Sequence, residues 1–236
     1  MNYLDMECTY KVFEEMIGSP TYVDKSLLIE KISEWIRRDG KNICITRPRR
    51  FGKTSNAYML AAYYTKGFDS HPLFDYLNIA KTEYYEKHLN NHHVIYIDLS
   101  RMPFQCKSYD QYITSIYNKL CEDILSVYQV EGDFSSPEDL LKATQDSFIF
   151  VLDEWDAILY KDFMDDNDKK EYLEFLKGLL KDQTYVELAY MTGILPIAKC
   201  DRRSELNMFE EYDYMNDDLF AEYFEIYEDI DHSVRI

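Results

Sequence analysis

The sequence of 236 residues predicts an α/β fold, a three-layer sandwich around a mostly parallel central sheet. Three observations lead there. Ile43 to Ile45 is a short apolar run that breaks at Arg47-Pro48 and passes through Gly52-Lys53-Thr54 into a helical pattern. Strand, loop, Gly-Lys-Thr and helix, in that order, is the layout of a phosphate-binding loop. Phe148-Ile-Phe-Val-Leu152 is apolar without alternation, as a strand covered on both faces requires. Finally, Tyr109, Tyr112, Ile113, Ile116, Tyr117, Leu120, Ile124 and Val127 fall on one stripe at helical spacing.

Composition narrows the class further. Apolar residues make up 46 % of the chain and aromatics 16 %, with 22 tyrosines, which suits a packed core and not a disordered chain. No apolar run approaches a membrane span, and the start Met1-Asn-Tyr-Leu-Asp5 is not a leader sequence, so a cytoplasmic location without membrane contact is expected. Cys8, Cys44, Cys106, Cys121 and Cys200 are scattered and odd in number, which fits reduced structural thiols and neither a disulfide framework nor a zinc site. The net charge of −18 opposes direct nucleic-acid binding by this chain. Residues 37 to 53 run against that trend. Arg37, Arg38, Lys41, Arg47, Arg49, Arg50 and Lys53 face Asp39 alone, a net of +6 that leaves −24 elsewhere. The cluster is expected where a polyphosphate sits.

In chain order, Tyr10 to Ile17 is amphipathic and closes at Gly18-Ser-Pro20. A turn at Tyr22-Val-Asp24-Lys-Ser26 then leads into a helix to about Arg38, with Asp24 as N-cap and Leu28, Ile29, Ile32, Trp35 and Ile36 on its core face. That turn reads either as a core connection or as a neighbour of a nucleotide base. The helix after Thr54 stops near Gly67, one or two short helices fill residues 73 to 90, and His92 to Asp98 is the second strand. His88, His92 and His93 lack a matching ligand set and read as solvated or strand-edge histidines. Ser108 and Gln111 form a candidate capping box, and Ser136-Pro-Glu-Asp139 opens a further helix. Residues 161 to 182 are charged and helical, with Asp165 to Asp168 as a solvated loop, and Val186 to Met191 is the fourth strand. Ten acids and no Lys or Arg between Glu210 and Asp231 predict a solvated helical tail.

Chemistry concentrates at strand ends. The phosphate loop offers Arg49, Arg50, Phe51, Gly52, Lys53, Thr54 and Ser55, although the usual pattern has glycine where this chain has Arg47. Backbone amides at the helix start and the Lys53 ammonium would hold the phosphates. Asp153-Glu154 follows the apolar strand directly, at the carboxyl end where ligands of parallel sheets bind. Thr54 and Asp153 are candidates for Mg2+, and Glu154 for polarising the attacking water. Thr192 ends the next strand and could contact the γ-phosphate or that water.

These segments together resemble a known family. Tyr22 to Glu30, Ile45-Thr-Arg-Pro-Arg-Arg-Phe-Gly-Lys-Thr54, Val94 to Asp98, Phe148 to Asp156, Tyr190 to Lys199 and Ser204 to Phe209 are similar to the predicted AAA-ATPase-like proteins of bacteria. Arg47-Pro-Arg-Arg-Phe-Gly-Lys53 is distinctive of them. The resemblance implies a P-loop NTPase of the additional-strand, catalytic-glutamate type, using ATP and Mg2+. It implies that the loop strand neighbours the Thr192 strand, which neighbours the Asp153 strand, with the Asp98 strand outside. It matches Lys53 and Thr54 to the nucleotide and magnesium positions, Asp153 and Glu154 to the second nucleotide motif and Thr192 to the sensor position, which gives Lys53, Glu154 and Thr192 the catalytic roles. In an ATPase, Arg49 or Arg50 would add charge stabilisation in cis, and Arg202 or Arg203 would act in cis or across a subunit contact. Relatives usually continue past Tyr223-Phe224 into a nuclease-like region, so a domain over residues 1 to 209 with a truncated remainder over 210 to 236 is expected. Three readings follow: an ATPase, a nucleotide-binding module without turnover and, by association with the family's nuclease-like domain, a nucleic-acid-acting protein, which the −18 charge opposes for this chain alone. The first two admit a homo-oligomer or a protein partner.

Overall fold

A computed structural model of the chain describes residues 3–132, 134, 136–200, 205–215 and 219–224. In order come α1 (Glu7–Ile17), α2 (Leu27–Ser33), β1 (Asn42–Thr46), α3 (Lys53–Tyr64), α4 (His71–Phe74), α5 (Tyr85–His88) and β2 (His93–Asp98). There follow α6 (Tyr109–Val127), α7 (Pro137–Ala143), β3 (Phe148–Asp153), α8 (Asp166–Leu180), β4 (Val186–Gly193), α9 (Ile197–Cys200) and β5 (Glu210–Tyr212). The sheet order is β2-β3-β4-β1-β5, and every pairing is parallel. The neighbours implied for the loop strand are those found: β4, the Thr192 strand, lies between β1 and β3, and β2 lies beyond β3.

Alternation along each strand sorts the side chains into two cores. Ile43, Ile45, Val94, Tyr96, Ile149, Val151, Leu188 and Tyr190 pack with α1, α2 and α3. Cys44, Ile95, Ile97, Phe148, Phe150, Leu152, Ala189 and Met191 pack with α6, α7 and α8. The result is three layers. α3 is covered nearly all round, with Lys53 and Asn56 through Tyr64 buried, because it is sandwiched between the sheet and α1. Several buried tyrosines spend their hydroxyls on main-chain carbonyls: Tyr112 donates to Leu99 O at 2.8 Å, Tyr172 to Trp155 O at 2.7 Å and Tyr185 to Leu179 O at 2.6 Å. That pairing lets these three sit in the core with their polar ends satisfied. Residues 3 to 5 cover the free edge of β2, with Asp5 N donating to Val94 O at 2.8 Å and Tyr96 N to Tyr3 O at 2.9 Å.

Several expectations change. Asp24 does not cap α2. Its carboxylate accepts from Ser26 N and Asn78 N, both at 2.8 Å, and so ties two turns together. Helix α2 starts at Leu27 and gives way to turns after Ser33. Asp165 is no loose loop residue, since it forms a capping box with Asp168 at the start of α8. The described part of the acidic run is not a solvated helix. Glu210–Tyr212 joins the sheet as β5, and Phe220, Tyr223 and Phe224 are buried. Four aromatics among those acids (Tyr212, Phe220, Tyr223, Phe224) supply the apolar surface that draws the run onto the sheet edge. Residues 225–236 lie outside the described residues.

The basic cluster also divides. Arg37, Arg38 and Lys41 precede β1, while Arg47, Arg49, Arg50 and Lys53 follow it. A strand of five residues separates the two groups by roughly 17 Å. The first group therefore lies at the sheet end away from the phosphate loop. There Glu187 is buried and accepts from Arg37 Nε at 3.1 Å, Ser147 Oγ at 2.6 Å and His92 Nδ1 at 2.5 Å. The histidines are accordingly neither solvated nor idle. His92 Nε2 meets His88 Nδ1 at 2.9 Å, and His93 Nδ1 pairs with Asp5 at 2.5 Å.

Burial alone would raise the Glu187 pKa, but the hydrogen bonds from His92, Ser147 and Arg37 outweigh it and hold the group at about 2. A carboxyl depressed below its usual 4.5 contributes stability that is fully present above pH 4.5 and lost as pH falls toward 2. Glu187→Gln should cost on the order of 3 kcal/mol at neutral pH. In urea unfolding, the gap between parent and variant should narrow as pH drops from 4.5 toward 2.

Candidate nucleotide site

The ends of β1, β3 and β4 meet at one edge of the sheet, with Ile45 opposite Thr192 and Leu152 opposite Met191. From β1 the chain turns through Arg47-Pro-Arg-Arg-Phe-Gly52 into α3. Gly52 is the N-cap of α3 at φ +72°, in the left-handed region, and a Cβ there would meet nothing within 4 Å. Glycine is required for its backbone, and the space it leaves lets a ligand approach the main chain. The first-turn amides of α3 have no partner within their own helix and carry its positive dipole end.

Asp153 is the centre of the site. It is 1 % exposed, and its carboxylate accepts from the Thr192 hydroxyl. Burial raises its pKa, opposed by the Thr192 and Thr54 hydroxyls. The structure therefore brings together Thr54, Asp153 and Thr192, three residues far apart in sequence. Glu154 joins them through its main chain, its amide donating to Thr192 Oγ1 at 3.3 Å. It sits at φ +52°, a strained conformation for a residue with a side chain.

Lys53 is buried and donates from Nζ to Arg47 O and Pro48 O, each at 2.9 Å. Its pKa is lowered by burial, with Asp153, Glu154 and Asp156 acting the other way. Arg49, Arg50 and Ser55 are exposed on the rim, and Phe51 stands edge-on to Tyr214 with ring centroids 6.1 Å apart. Arg202 and Arg203 lie outside the described residues. A cavity of about 350 Å3 opens beside the loop, lined by Tyr22, Lys25, Phe51, Gly52, Ser55 and Tyr223 among others. The Tyr22 turn thus does border the loop. Its hydroxyl is buried with no hydrogen-bond partner among the described residues.

Two features escaped the sequence reading. Asp156 is 2 % exposed and accepts from Ile194 N at 3.1 Å and Leu195 N at 2.8 Å, so it orders the loop after β4. Its place three residues after Asp153 was the only available signal. Gly193 lies against Trp155, where a Cβ would come within 2.4 Å of Nε1 and 2.8 Å of the Asp156 carboxylate. Trp155 N donates to Thr192 O at 2.9 Å, so the Asp153-Glu-Trp-Asp156 and Thr192-Gly193 segments form one fitted unit.

A parallel sheet of this order, with a glycine-capped helix after β1 and an acidic strand end two places away, is the fold of the nucleotide-binding P-loop NTPases. Residues 9–202 match the family model described as Predicted AAA-ATPase, and the chain belongs to that family. No curated protein matches the chain significantly. Among solved structures, the ORC2 protein of Aeropyrum pernix, described in ADPNP and ADP complexes, is similar at 11 % identity with a TM-score of 0.40. That likeness covers 84 % of this chain and 50 % of the other, so the chain spans about half the length of that protein. No helix among the described residues is long and apolar enough to cross a membrane.

The contact at Gly193 generates a prediction. Gly193→Ala should lose about 2 kcal/mol of stability through overpacking, read from the urea midpoint, because Trp155 is fully buried and has no open space to move into.

Proposed function

We propose that this protein binds ATP with Mg2+ at the loop of residues 47 to 54 and hydrolyses it. The observation that carries the reading is the buried hydrogen bond between Thr192 and Asp153, with Thr54 beside it, next to Lys53 and the first turn of α3.

The residues suit such a ligand. Gly52 leaves open space against the main chain, and Tyr22, whose buried hydroxyl has no partner among the described residues, lines the adjoining cavity. One carboxylate and one hydroxyl are the modest protein contribution that magnesium usually takes, the rest coming from water and phosphate. Thr54 and Asp153 would hold the ion. When bound, Mg2+ neutralises charge building on the phosphates. Amides 49 to 54 and the Lys53 ammonium bind the phosphate chain, with Arg49 and Arg50 as exposed cations at the rim. Thr192 orients Asp153 and, through its bond to the Glu154 amide, fixes the strained turn that carries Glu154. The Glu154 carboxylate, which has no hydrogen bond or ion pair among the described residues, is the general base that orients and polarises water.

A second reading, binding without turnover, is favoured by the engagement of Lys53 with the loop's own carbonyls, which a phosphate must displace or share. Phosphate release and isothermal titration separate the two. Glu154→Gln should keep nucleotide affinity within about threefold and reduce turnover at least a hundredfold. Lys53→Ala should weaken binding at least tenfold. A Lys53→Ala protein that binds as tightly as the parent rejects the site. Measurable binding by the parent with no phosphate release selects the second reading.

A further inference from the structure

Arg47 occupies the position where phosphate loops of the usual pattern carry glycine. Its backbone is not in the left-handed region, so nothing about its own conformation calls for glycine. The side chain is only 3 % exposed, a rare state for arginine. Nη1 donates to Thr46 O and to Tyr212 O, both at 2.9 Å, and the guanidinium lies 5.4 Å from the centre of the Phe224 ring. The Arg47 amide donates to Gly193 O at 3.1 Å, while its carbonyl accepts from Lys53 Nζ at 2.9 Å. One residue thus touches the ends of β1 and β4, strand β5, the chain at Phe224, and the loop lysine.

The chain it reaches lies beyond residues 9–202, the part matched by the family model. That chain is fastened to the candidate site at further points. Asn56, in the second turn of α3, donates from Nδ2 to Tyr223 O at 3.1 Å. Lys25 donates to Glu222 O at 2.7 Å, Phe51 meets Tyr214, and Tyr212 stands edge-on to Phe220 at 4.7 Å. Lys25, Phe51, Asn56 and Tyr223 all line the same cavity beside the loop. The late segment is therefore a wall of the candidate nucleotide site and not an appendage to it.

The energetics link the two. Undocking β5 and the chain at Phe224 would take from the buried guanidinium its Tyr212 acceptor and the ring beneath it, and a buried charge that loses partners is costly. Ordering the loop favours docking, and docking favours the ordered loop. By linkage, a ligand that holds the loop stabilises the docked segment, and loss of the dock weakens the ligand by the same factor.

We propose that Arg47 is a positioning residue that couples the phosphate loop to β5 and the chain around Tyr223 and Phe224, making this late segment a nucleotide-responsive wall of the site. The proposal rests on the nucleotide-binding reading above. Arg47 reaches Lys53 only through its main chain and has no part in the chemistry.

The test is hydrogen–deuterium exchange by mass spectrometry on the full chain, with and without ATPγS and Mg2+, beside titration of the same analogue. In the parent, the analogue should slow exchange at residues 210 to 212 and 222 to 224 by about fivefold or more. Arg47→Ala should speed exchange there and weaken the analogue about tenfold. Millimolar guanidinium should restore part of that affinity to Arg47→Ala and none to Lys53→Ala. Phe224→Leu, which keeps an apolar side chain and removes the ring, should give the same pair of changes in smaller measure and serves if Arg47→Ala does not fold. The proposal falls if the analogue binds the parent without altering exchange in that segment. It falls equally if Arg47→Ala binds the analogue within twofold of the parent. A parent that binds no analogue refutes the nucleotide reading itself, a different outcome from binding that is insensitive to Arg47.

Discussion

The carboxylate of Asp153 has almost no contact with water, and that constraint organises the site around it. A buried carboxylate left without donors would cost several kcal/mol or be protonated. Here the donor is the Thr192 hydroxyl at the end of β4, with the Thr54 hydroxyl of the first turn of α3 helping to hold the carboxyl's pKa down. Satisfying one charge thus requires the phosphate loop, β3 and β4 to finish at the same level. The parallel pairing of β4 with both β1 and β3 makes that level common to all three. Trp155 packed on Gly193, and Asp156 bonded to the amides of Ile194 and Leu195, keep the two strand ends from sliding apart.

The opposite end of the sheet solves the same problem differently. Glu187 is also buried, yet its partners are the cation Arg37, a serine hydroxyl and a histidine, and its pKa moves down where that of Asp153 moves up. Hydroxyl donors leave Asp153 a carboxylate still in need of positive charge, which suits a cation site. A guanidinium leaves Glu187 with its charge already met, which suits a fastening. A carboxylate at two strand positions shifts in opposite directions, according to what surrounds it.

The segment after residue 209 changes how the domain closes. β1 would be an edge strand without β5, with the phosphate loop at its exposed end. Pairing with Glu210–Tyr212 covers that edge, while Arg47 binds both the strand and the Phe224 ring. The basic loop and the acidic late segment therefore meet, and among the described residues carbonyls and aromatic faces hold them together.

Local pattern was enough for the elements that the fold needs. Unbroken apolar runs named the buried strands, the tyrosine and isoleucine stripe named α6, and Gly52-Lys53-Thr54 followed by Asp153-Glu154 and Thr192 marked the strand ends that form the candidate site. The family resemblance added the strand order. These signals are short-range or depend on spacing, so the sequence by itself determined the layered sheet and its candidate site. What it could not assign were partners chosen across long separations. Charge counting put Arg37, Arg38 and Lys41 with the phosphates, because a sum along the chain ignores that an extended strand carries its two ends apart. It put Arg47 there too, whereas the tertiary structure buries Arg47 against Tyr212, 165 positions later. Acidic composition hid the strand and aromatic anchors of residues 210 to 224, since solvation preference is averaged over a window while burial is decided residue by residue. Only the packed chain decides which charge faces a ligand and which holds the wall of the site in place.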